Sequence, residues 1–248
     1  MQSEIENAAV NKTQRSYARL AGFLFLGVII LAFAGGFILS SVAGSGSFAE
    51  TAKRIFASER LYRMGLSAMV IATLSSVLLA FALYATLKPV NRLLAQLAMI
   101  FNVGDSFLGL LVRMSGFVRL HLYISAQTGG AEKMDAPVLT DLMRSIAGTT
   151  ENLGGIAFGL GSFLFFYLFF KSGYIPRVLS ALGLAASVIW TCVYLANLVF
   201  PEQHTLFQYI CFPPMALADV GTGFYLVLFA VRTGISSNHS GQRAAIPG

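Results

Sequence analysis

Charged residues are what this sequence lacks most. Only 11% of its 248 residues are Asp, Glu, Lys or Arg, whereas soluble domains carry roughly 25%. Tryptophan occurs once and cysteine twice, and no phosphate-binding loop, nucleophile elbow, zinc-protease or paired-cysteine motif is present. The low charge excludes an ordinary water-soluble enzyme and a disordered chain. The net charge of +6 does not indicate a nucleic-acid module, because the cations stand at the ends of apolar runs.

Long apolar runs take the place of charge: 56% of the residues are hydrophobic and the mean hydropathy is +0.72. A bilayer core of about 30 Å needs roughly 20 helical residues. The sequence therefore predicts an all-α, polytopic transmembrane bundle of six spans, and short connections predict antiparallel neighbours. The predicted spans are 20–42, 61–87, 93–118, 142–170, 178–200 and 209–231, which leaves an N-terminal segment 1–19 and a C-terminal tail 232–248. The first run is too long for a secretory signal, so an uncleaved helix is expected.

The connection between the first two spans carries a helix-start signal. Ser47 and Glu50 have the spacing of a capping box. The apolar positions that follow have helical spacing, which predicts an outer amphipathic helix on the bilayer surface; a lead-in to the second span is the alternative. These apolar positions are Phe48, Ala52, Ile55 and Phe56. The other long connection, 119–140, is polar and is expected to be partly irregular.

Orientation follows from the short turns. The turns at 88–92 and 171–177 share a Lys…Pro…Arg pattern and carry two cations each, whereas the turn at 201–205 carries none. Cations concentrate in the cytoplasmic loops of membrane proteins. The sequence therefore predicts that both termini are cytoplasmic.

Several ordered blocks resemble one known family. The blocks are RLAG at 19–22, SERLYRMG at 58–65, ALY at 82–84 with LKPVNR at 87–92, and KSGYIPR at 171–177. They resemble the prokaryotic membrane family catalogued as domain of unknown function 4386, over roughly 15–232. The resemblance implies a bacterial multi-pass protein of the inner membrane and brings no established activity. Members of that family often place histidines on the fourth helix and a glutamate on the sixth.

This chain departs from that pattern. Its fourth span has no histidine, and Asp219 stands where the acid of the sixth helix is expected. The resemblance therefore brings no metal or haem ligand, and no cofactor or metal site is predicted. The histidines His121 and His204 come from unrelated connections and are not taken as a zinc site.

Ionisable residues inside spans are costly and usually face protein or water. Three acids and one arginine fall there, and on the third span a polar and small stripe with helical spacing is expected to face inward. The stripe is Asn102, Asp105, Ser106, Gly109 and Arg113. The candidate binding residues, expected to meet in one cluster between the third, fourth and sixth spans, are Asn102, Asp105, Arg113, Glu151 and Asp219.

Two interpretations of this cluster stay open. In the first, Arg113 neutralises Glu151 or Asp105 and fixes helix register. In the second, the polar residues form a cavity for a small solute, a lipid headgroup or a proton, because one arginine cannot neutralise three acids. The favoured function is a non-enzymatic membrane protein that binds lipid or a partner protein. A small-solute or proton-coupled transporter is the alternative. An enzyme is not expected, because the sequence contains no recognisable nucleophile–base pair.

The remaining features bear on packing and partners. Gly155 and Gly159 form a GxxxG step that is expected to pack within the bundle, with a homodimer as the alternative. Cys192 and Cys211 are predicted to be buried small side chains, with a disulfide between adjacent helices left open. Trp190 is read as a lipid-facing or packing aromatic. Membrane lipids and a membrane-protein partner are the expected partners.

Overall fold

The computed structural model describes residues 2–129, 135–200 and 204–230, with the side chains of 13–129, 135–200 and 209–230. These residues form seven α-helices, and no strand occurs among them, which confirms the all-α prediction. The helices are α1 Gln2–Ala43, α2 Phe48–Ala57, α3 Glu59–Leu87, α4 Arg92–Gln127, α5 Ala136–Ser172, α6 Arg177–Val199 and α7 His204–Phe229.

Six of these helices contain stretches long and apolar enough to cross a membrane. Each overlaps one span predicted from the sequence, and their outward faces carry large exposed apolar side chains, such as Phe37 and Phe107. Such faces suit lipid rather than water, so the six stretches indicate a multi-pass membrane protein. The stretches are Thr13–Ala43, Glu59–Leu87, Arg92–Gln127, Ala136–Ser172, Arg177–Val199 and Tyr209–Phe229.

The six long helices form a closed ring. Each of α1, α3, α4, α5, α6 and α7 packs on the next, and α7 returns to pack on α1. Neighbours are antiparallel: Gln14, early in α1, bonds to Thr86, late in α3, while Gly35, late in α1, lies against Gly65, early in α3. The ring thus has two ends. We call the end with the α3–α4 and α5–α6 turns the turn end, and the opposite end, which carries α2, the α2 end.

The turn end is closed by packing and hydrogen bonds. The Gln14 amide donates to the Thr86 carbonyl oxygen at 2.8 Å and to the Tyr174 hydroxyl at 2.9 Å, which joins α1, α3 and the α5–α6 turn. Gly173 ends α5 with a φ of +66°, a conformation that favours glycine. The largest fully buried apolar side chains here are Leu87, Leu168, Phe169, Ile175 and Leu226.

Helix α2 is a separate element that covers the α2 end of α4. The capping box forms as predicted: the Ser47 amide donates to Glu50 Oε2 at 3.0 Å, and the Glu50 amide donates to Ser47 Oγ at 3.4 Å. Ala52 and Ile55 are fully buried in a cluster with residues of α3 and α4. Of the four apolar positions, Phe48, Ala52 and Ile55 contact protein, while Phe56 is exposed.

Much of the connection 119–140 is helical, because Leu120 and Tyr123 of α4 pack under α2 and Asp135 caps α5 by accepting from the Val138 amide at 3.3 Å. Residues 128 and 129 form a turn, in keeping with the expected partly irregular connection, and residues 130–134 lie outside the described residues. One expectation from the sequence requires correction. Cys211 is buried as predicted, but Cys192 lies exposed on α6, and both are free thiols rather than a disulfide.

Candidate functional site

The polar stripe of α4 faces the ring interior, and glycines on α5 allow the two helices to approach closely. A Cβ atom placed on Gly154 would lie 3.0 Å from Asp105 Oδ1, and one on Gly161 would overlap the Asn102 amide nitrogen. Side chains at both glycine positions would therefore push α5 away from the stripe. The two small residues thus position Asp105 and Asn102 against α5 backbone.

A central cavity of about 140 Å³ lies inside the ring. Two of its serine hydroxyls bond within their own helices: Ser76 Oγ donates to the Ala72 carbonyl oxygen at 3.1 Å, and Ser106 Oγ donates to the Asn102 carbonyl oxygen at 2.9 Å. In contrast, neither the Asp105 nor the Asp219 carboxylate has a hydrogen bond or ion pair within the described part of the chain. The polar lining comprises Ser76, Asn102, Asp105, Ser106, Ser162 and Asp219.

A second space, which we call the aromatic cleft, has a volume of about 210 Å³ and lies between α4, α5, α6 and α7 on the α2 side of the central cavity. Ionisable and aromatic residues face it together. These are Asp105, Arg113, Glu151, Phe158, Trp190, Tyr194 and Phe212. A third space of about 180 Å³ lies between α1, α3 and α4 and shares Asp105, Gly109 and Arg113 with the cleft. Asp105 therefore borders all three spaces.

Arg113 shares the aromatic cleft with both acids of the first interpretation, Glu151 and Asp105, but makes no salt-bridge contact with either. Among the described residues it forms no ion pair with Asp105 or Glu151 within 4.0 Å, and its Nε is buried without a hydrogen-bond partner. Glu151 is exposed, and Asp105 is held against Gly154. Helix packing, rather than an ion pair with Arg113, therefore sets the positions of the two acids. Arg113 Nε is left as an unused hydrogen-bond donor.

The four intramembrane ionisable residues do not form one cluster either. Arg113 and Glu151 line the aromatic cleft, whereas Asp219 lines the central cavity, and only Asp105 borders both. The reason is the ring order: α7 packs between α6 and α1, so Asp219 reaches the interior from the side opposite α4. Asn102 joins Asp219 and Asp105 on the central cavity.

The aromatic residues of the cleft were not recognised as site residues from the sequence. The Trp190 ring lies with its centroid 5.2 Å from Phe158, 5.1 Å from Tyr194 and 5.0 Å from Phe212. Trp190 is only 9% exposed, and its Nε1 has no hydrogen-bond partner. The reading of Trp190 as a packing aromatic is therefore incomplete, because it also lines a cavity.

The signal for these aromatics was the GxxxG step. A Cβ on Gly155 would overlap the Tyr194 ring, and one on Gly159 would overlap the Thr191 hydroxyl and approach Trp190. The step thus packs within the bundle, as predicted, and makes room for two aromatic side chains spaced four residues apart on α6. The described residues contain no group of three His, Cys, Asp or Glu side chains that could hold a metal ion.

Six span-length helices closed into a ring around polar cavities define a polytopic helical membrane protein. The chain belongs to the family described as Domain of unknown function (DUF4386), which matches residues 20–230. The family membership expected from the sequence blocks is thereby confirmed. No curated protein and no solved structure matches the chain.

Proposed function

We propose that this protein is a non-enzymatic membrane protein that binds a lipid or another small ligand inside its helical ring. The observation that carries the proposal is the set of buried polar atoms without a hydrogen-bond partner around the cavities, above all Arg113 Nε and Trp190 Nε1. A buried polar group without a partner costs about 1–3 kcal/mol, and a charged one costs more. A bound ligand that supplies the missing partners would offset this cost. Binding rather than catalysis is favoured because the described residues that line these cavities include no recognisable nucleophile–base pair.

The setting of this activity is the inner membrane of a bacterium, with both termini in the cytoplasm. The turn end then faces the cytoplasm with Lys88, Arg92, Lys171 and Arg177, in keeping with the concentration of cations on that side. Helix α2 then lies at the outer surface, where exposed Phe56 reaches the lipid boundary.

Labelling of single cysteines, introduced at Lys53 and at Lys88 in a cysteine-free background, tests the orientation. A membrane-impermeant thiol reagent should reach position 53 and not position 88 in intact cells.

Native mass spectrometry of the protein in mild detergent tests the binding activity. A retained lipid or solute of defined mass is the expected result. A retained second protein would instead indicate an accessory subunit, and a second copy of this chain would indicate a homodimer. Recovery of the bare monomer alone, from several detergents and lipid supplements, would contradict the proposal.

Proton-coupled transport of a small solute is a second candidate. It is favoured by one observation: two carboxylates, Asp105 and Asp219, face the same central cavity, and neither forms a salt bridge within 4.0 Å in the described part of the chain. Acids placed in this way inside a membrane commonly carry protons. Proteoliposomes with an internal pH-sensitive dye test the candidate. Faster collapse of an imposed pH gradient, lost in the Asp105→Asn variant, is expected of a carrier, and identical leak with and without protein would exclude proton conduction.

A further inference from the structure

We propose that the aromatic cleft binds a zwitterionic group, one that carries a phosphate or carboxylate together with an ammonium. This inference deepens the proposed binding activity and rests on it, because it names the site and the chemical class of the ligand. The cleft lies between α4, α5, α6 and α7, apart from Asp219 and most of the central cavity.

The anionic end of such a ligand meets two unused donors. Arg113 Nε and Trp190 Nε1 are both buried, both lack a hydrogen-bond partner, and both belong to residues that line the cleft. Neither side chain has an acceptor of its own, so only an acceptor from outside the two side chains can satisfy them. A guanidinium recognises a carboxylate or phosphate through two parallel hydrogen bonds. The Tyr194 hydroxyl, on a side chain that also lines the cleft, adds a third donor.

The ammonium end meets the carboxylates. Glu151 and Asp105 line the same cleft as Arg113, so two acids stand against one guanidinium. A purely anionic ligand would add a third negative charge to this set. A zwitterion adds none, because its ammonium balances one acid while its anionic group meets Arg113. The exposed Glu151 is the acid that an ammonium reaches first.

The aromatic rings favour the same class of ligand. Phe158, Trp190 and Phe212 form adjoining walls, with ring centroids 5.2 Å and 5.0 Å from the Trp190 ring. Ammonium groups are attracted to the faces of aromatic rings, most strongly to tryptophan, and the attraction grows when the site excludes water. The cleft therefore offers both a carboxylate and aromatic faces to one cation.

Helix geometry brings these groups to one level of the bundle. Side chains lean toward the N-terminus of their helix, so Arg113 extends along α4 toward Asp105, with Gly109 between them. Glu151 precedes Gly154, the residue that lies against Asp105, by less than one turn of α5. The cleft volume of about 210 Å³ suits a headgroup or a free amino acid rather than a whole lipid. Phosphatidylethanolamine and free amino acids share this chemistry and are the two sources to separate.

Binding measurements on the full chain test the inference. The wild-type protein, in nanodiscs of phosphatidylglycerol, is titrated with dioleoylphosphatidylethanolamine by native mass spectrometry and with L-leucine by calorimetry. We expect one of these probes to bind, and we expect Arg113→Gln to weaken it at least tenfold. Trp190→Phe keeps a ring and removes the unused N–H, so we expect a severalfold loss with an intact fold. Arg144→Gln, which changes an exposed arginine paired with Asp141, should leave binding unchanged.

Glu151→Gln gives the sharpest discrimination between ligand classes. Removing this carboxylate should weaken the zwitterionic probe and strengthen binding of phosphatidylglycerol, an anionic lipid without an ammonium. Binding of the phospholipid alone assigns the source to lipid, and binding of leucine alone assigns it to a soluble solute. Wild-type protein that binds neither probe, that prefers phosphatidylglycerol, or that binds equally well in Arg113→Gln and Trp190→Phe would overturn the inference. A different retained ligand that both variants keep would overturn it while leaving the proposed binding activity in place.

Discussion

The two ends of the ring are built from the same long apolar helices, yet they treat polar groups differently. At the turn end, the Gln14 amide makes two hydrogen bonds, and the Thr86 and Ser180 hydroxyls bond to carbonyl oxygens of the preceding turn. Toward the α2 end, several buried polar atoms lack hydrogen-bond partners. One further buried atom without a partner, the Thr222 hydroxyl oxygen of α7, lies toward the turn end instead. The atoms toward the α2 end belong to Arg113, Arg119, Thr140, Asn152, Trp190 and Asn197.

The difference shows which part of the ring contributes stability and which part is available for a ligand. Satisfied polar groups and dense aromatic packing hold the turn end in one arrangement. Unpartnered groups toward the α2 end lower stability unless something binds them. Substitutions at the two ends should therefore have effects of different size and, in one case, of opposite sign.

The largest expected effect lies in the packing of the turn end. Phe169 is 1% exposed, so Phe169→Ala should lower the free energy of unfolding by about 3 kcal/mol through lost contacts and a residual cavity. Thermal or SDS-induced unfolding in detergent measures this loss. The matched control is Phe107→Ala, which truncates a phenylalanine that is 65% exposed on α4. Equal losses for the two variants would mean that Phe169 does not sit in a packed core.

The second prediction concerns the hydrogen bonds of the turn end. Gln14→Leu removes both bonds of the amide and leaves the Tyr174 hydroxyl and the Thr86 carbonyl without it. We expect the unfolding free energy to fall by about 2 kcal/mol. Unfolding of Gln14→Leu beside wild type, in the same detergent, provides the measurement. A loss much smaller than this would show that the turn end is held together by apolar packing alone.

The third prediction is a gain in the free energy of unfolding from a substitution at the α2 end. Asn197 is 2% exposed, and both its amide oxygen and its amide nitrogen lack partners. Asn197→Leu keeps the branching and the number of side-chain heavy atoms while removing this unmet polarity, so we expect the protein to gain about 1 kcal/mol. The comparison with Gln14→Leu uses chemically similar amide-to-leucine changes. Destabilisation by both would erase the distinction between the two ends.

The smallest effect is expected for a charge on the surface of the α2 end. Arg63 pairs with Glu59 at 2.7 Å, but the two side chains are 51% and 35% exposed. Arg63→Gln should change the unfolding free energy by less than about 0.5 kcal/mol. This variant also sets the baseline for the interior charges, since it shows what an arginine contributes outside the ring. A change of several kcal/mol would place Arg63 in a buried network.

Much of the fold could be predicted from the sequence, because the long apolar runs and the short charged turns are local signals. The six spans and the Ser47–Glu50 capping box are of this kind. The inward stripe of α4 is also local, since helical periodicity alone gathers Asn102, Asp105 and Arg113 on one face. The C-terminal end of α4 was harder to predict, because its last turns are stabilised by contacts with α2, an element distant in the sequence.

The arrangement of the site could not be predicted in the same way. Whether Arg113 comes within salt-bridge distance of Asp105 or Glu151 depends on side-chain positions, and the three side chains share the cleft without a salt bridge. Asp219 meets Asn102 and Asp105 at the central cavity, as expected, but it does not line the cleft with Arg113 and Glu151. That separation follows from the ring order, which places α7 between α6 and α1 and which no single helix sequence reveals. Trp190 and Tyr194 line the cleft because Gly155 and Gly159 of α5 lie against α6, and this contact between helices cannot be read from either helix alone.

The most direct test of the two-ended account is the shift in melting temperature that dioleoylphosphatidylethanolamine or L-leucine causes in three proteins. A ligand at about 100 times its Kd stabilises the folded state by about 2.7 kcal/mol. We predict a clear upward shift in wild type, the same shift in the less stable Gln14→Leu variant, and a shift of at most about half that size in Arg113→Gln, whose site binds at least tenfold more weakly. A shift of full size in Arg113→Gln, or one that disappears in Gln14→Leu, would contradict the assignment of ligand binding to the α2 end.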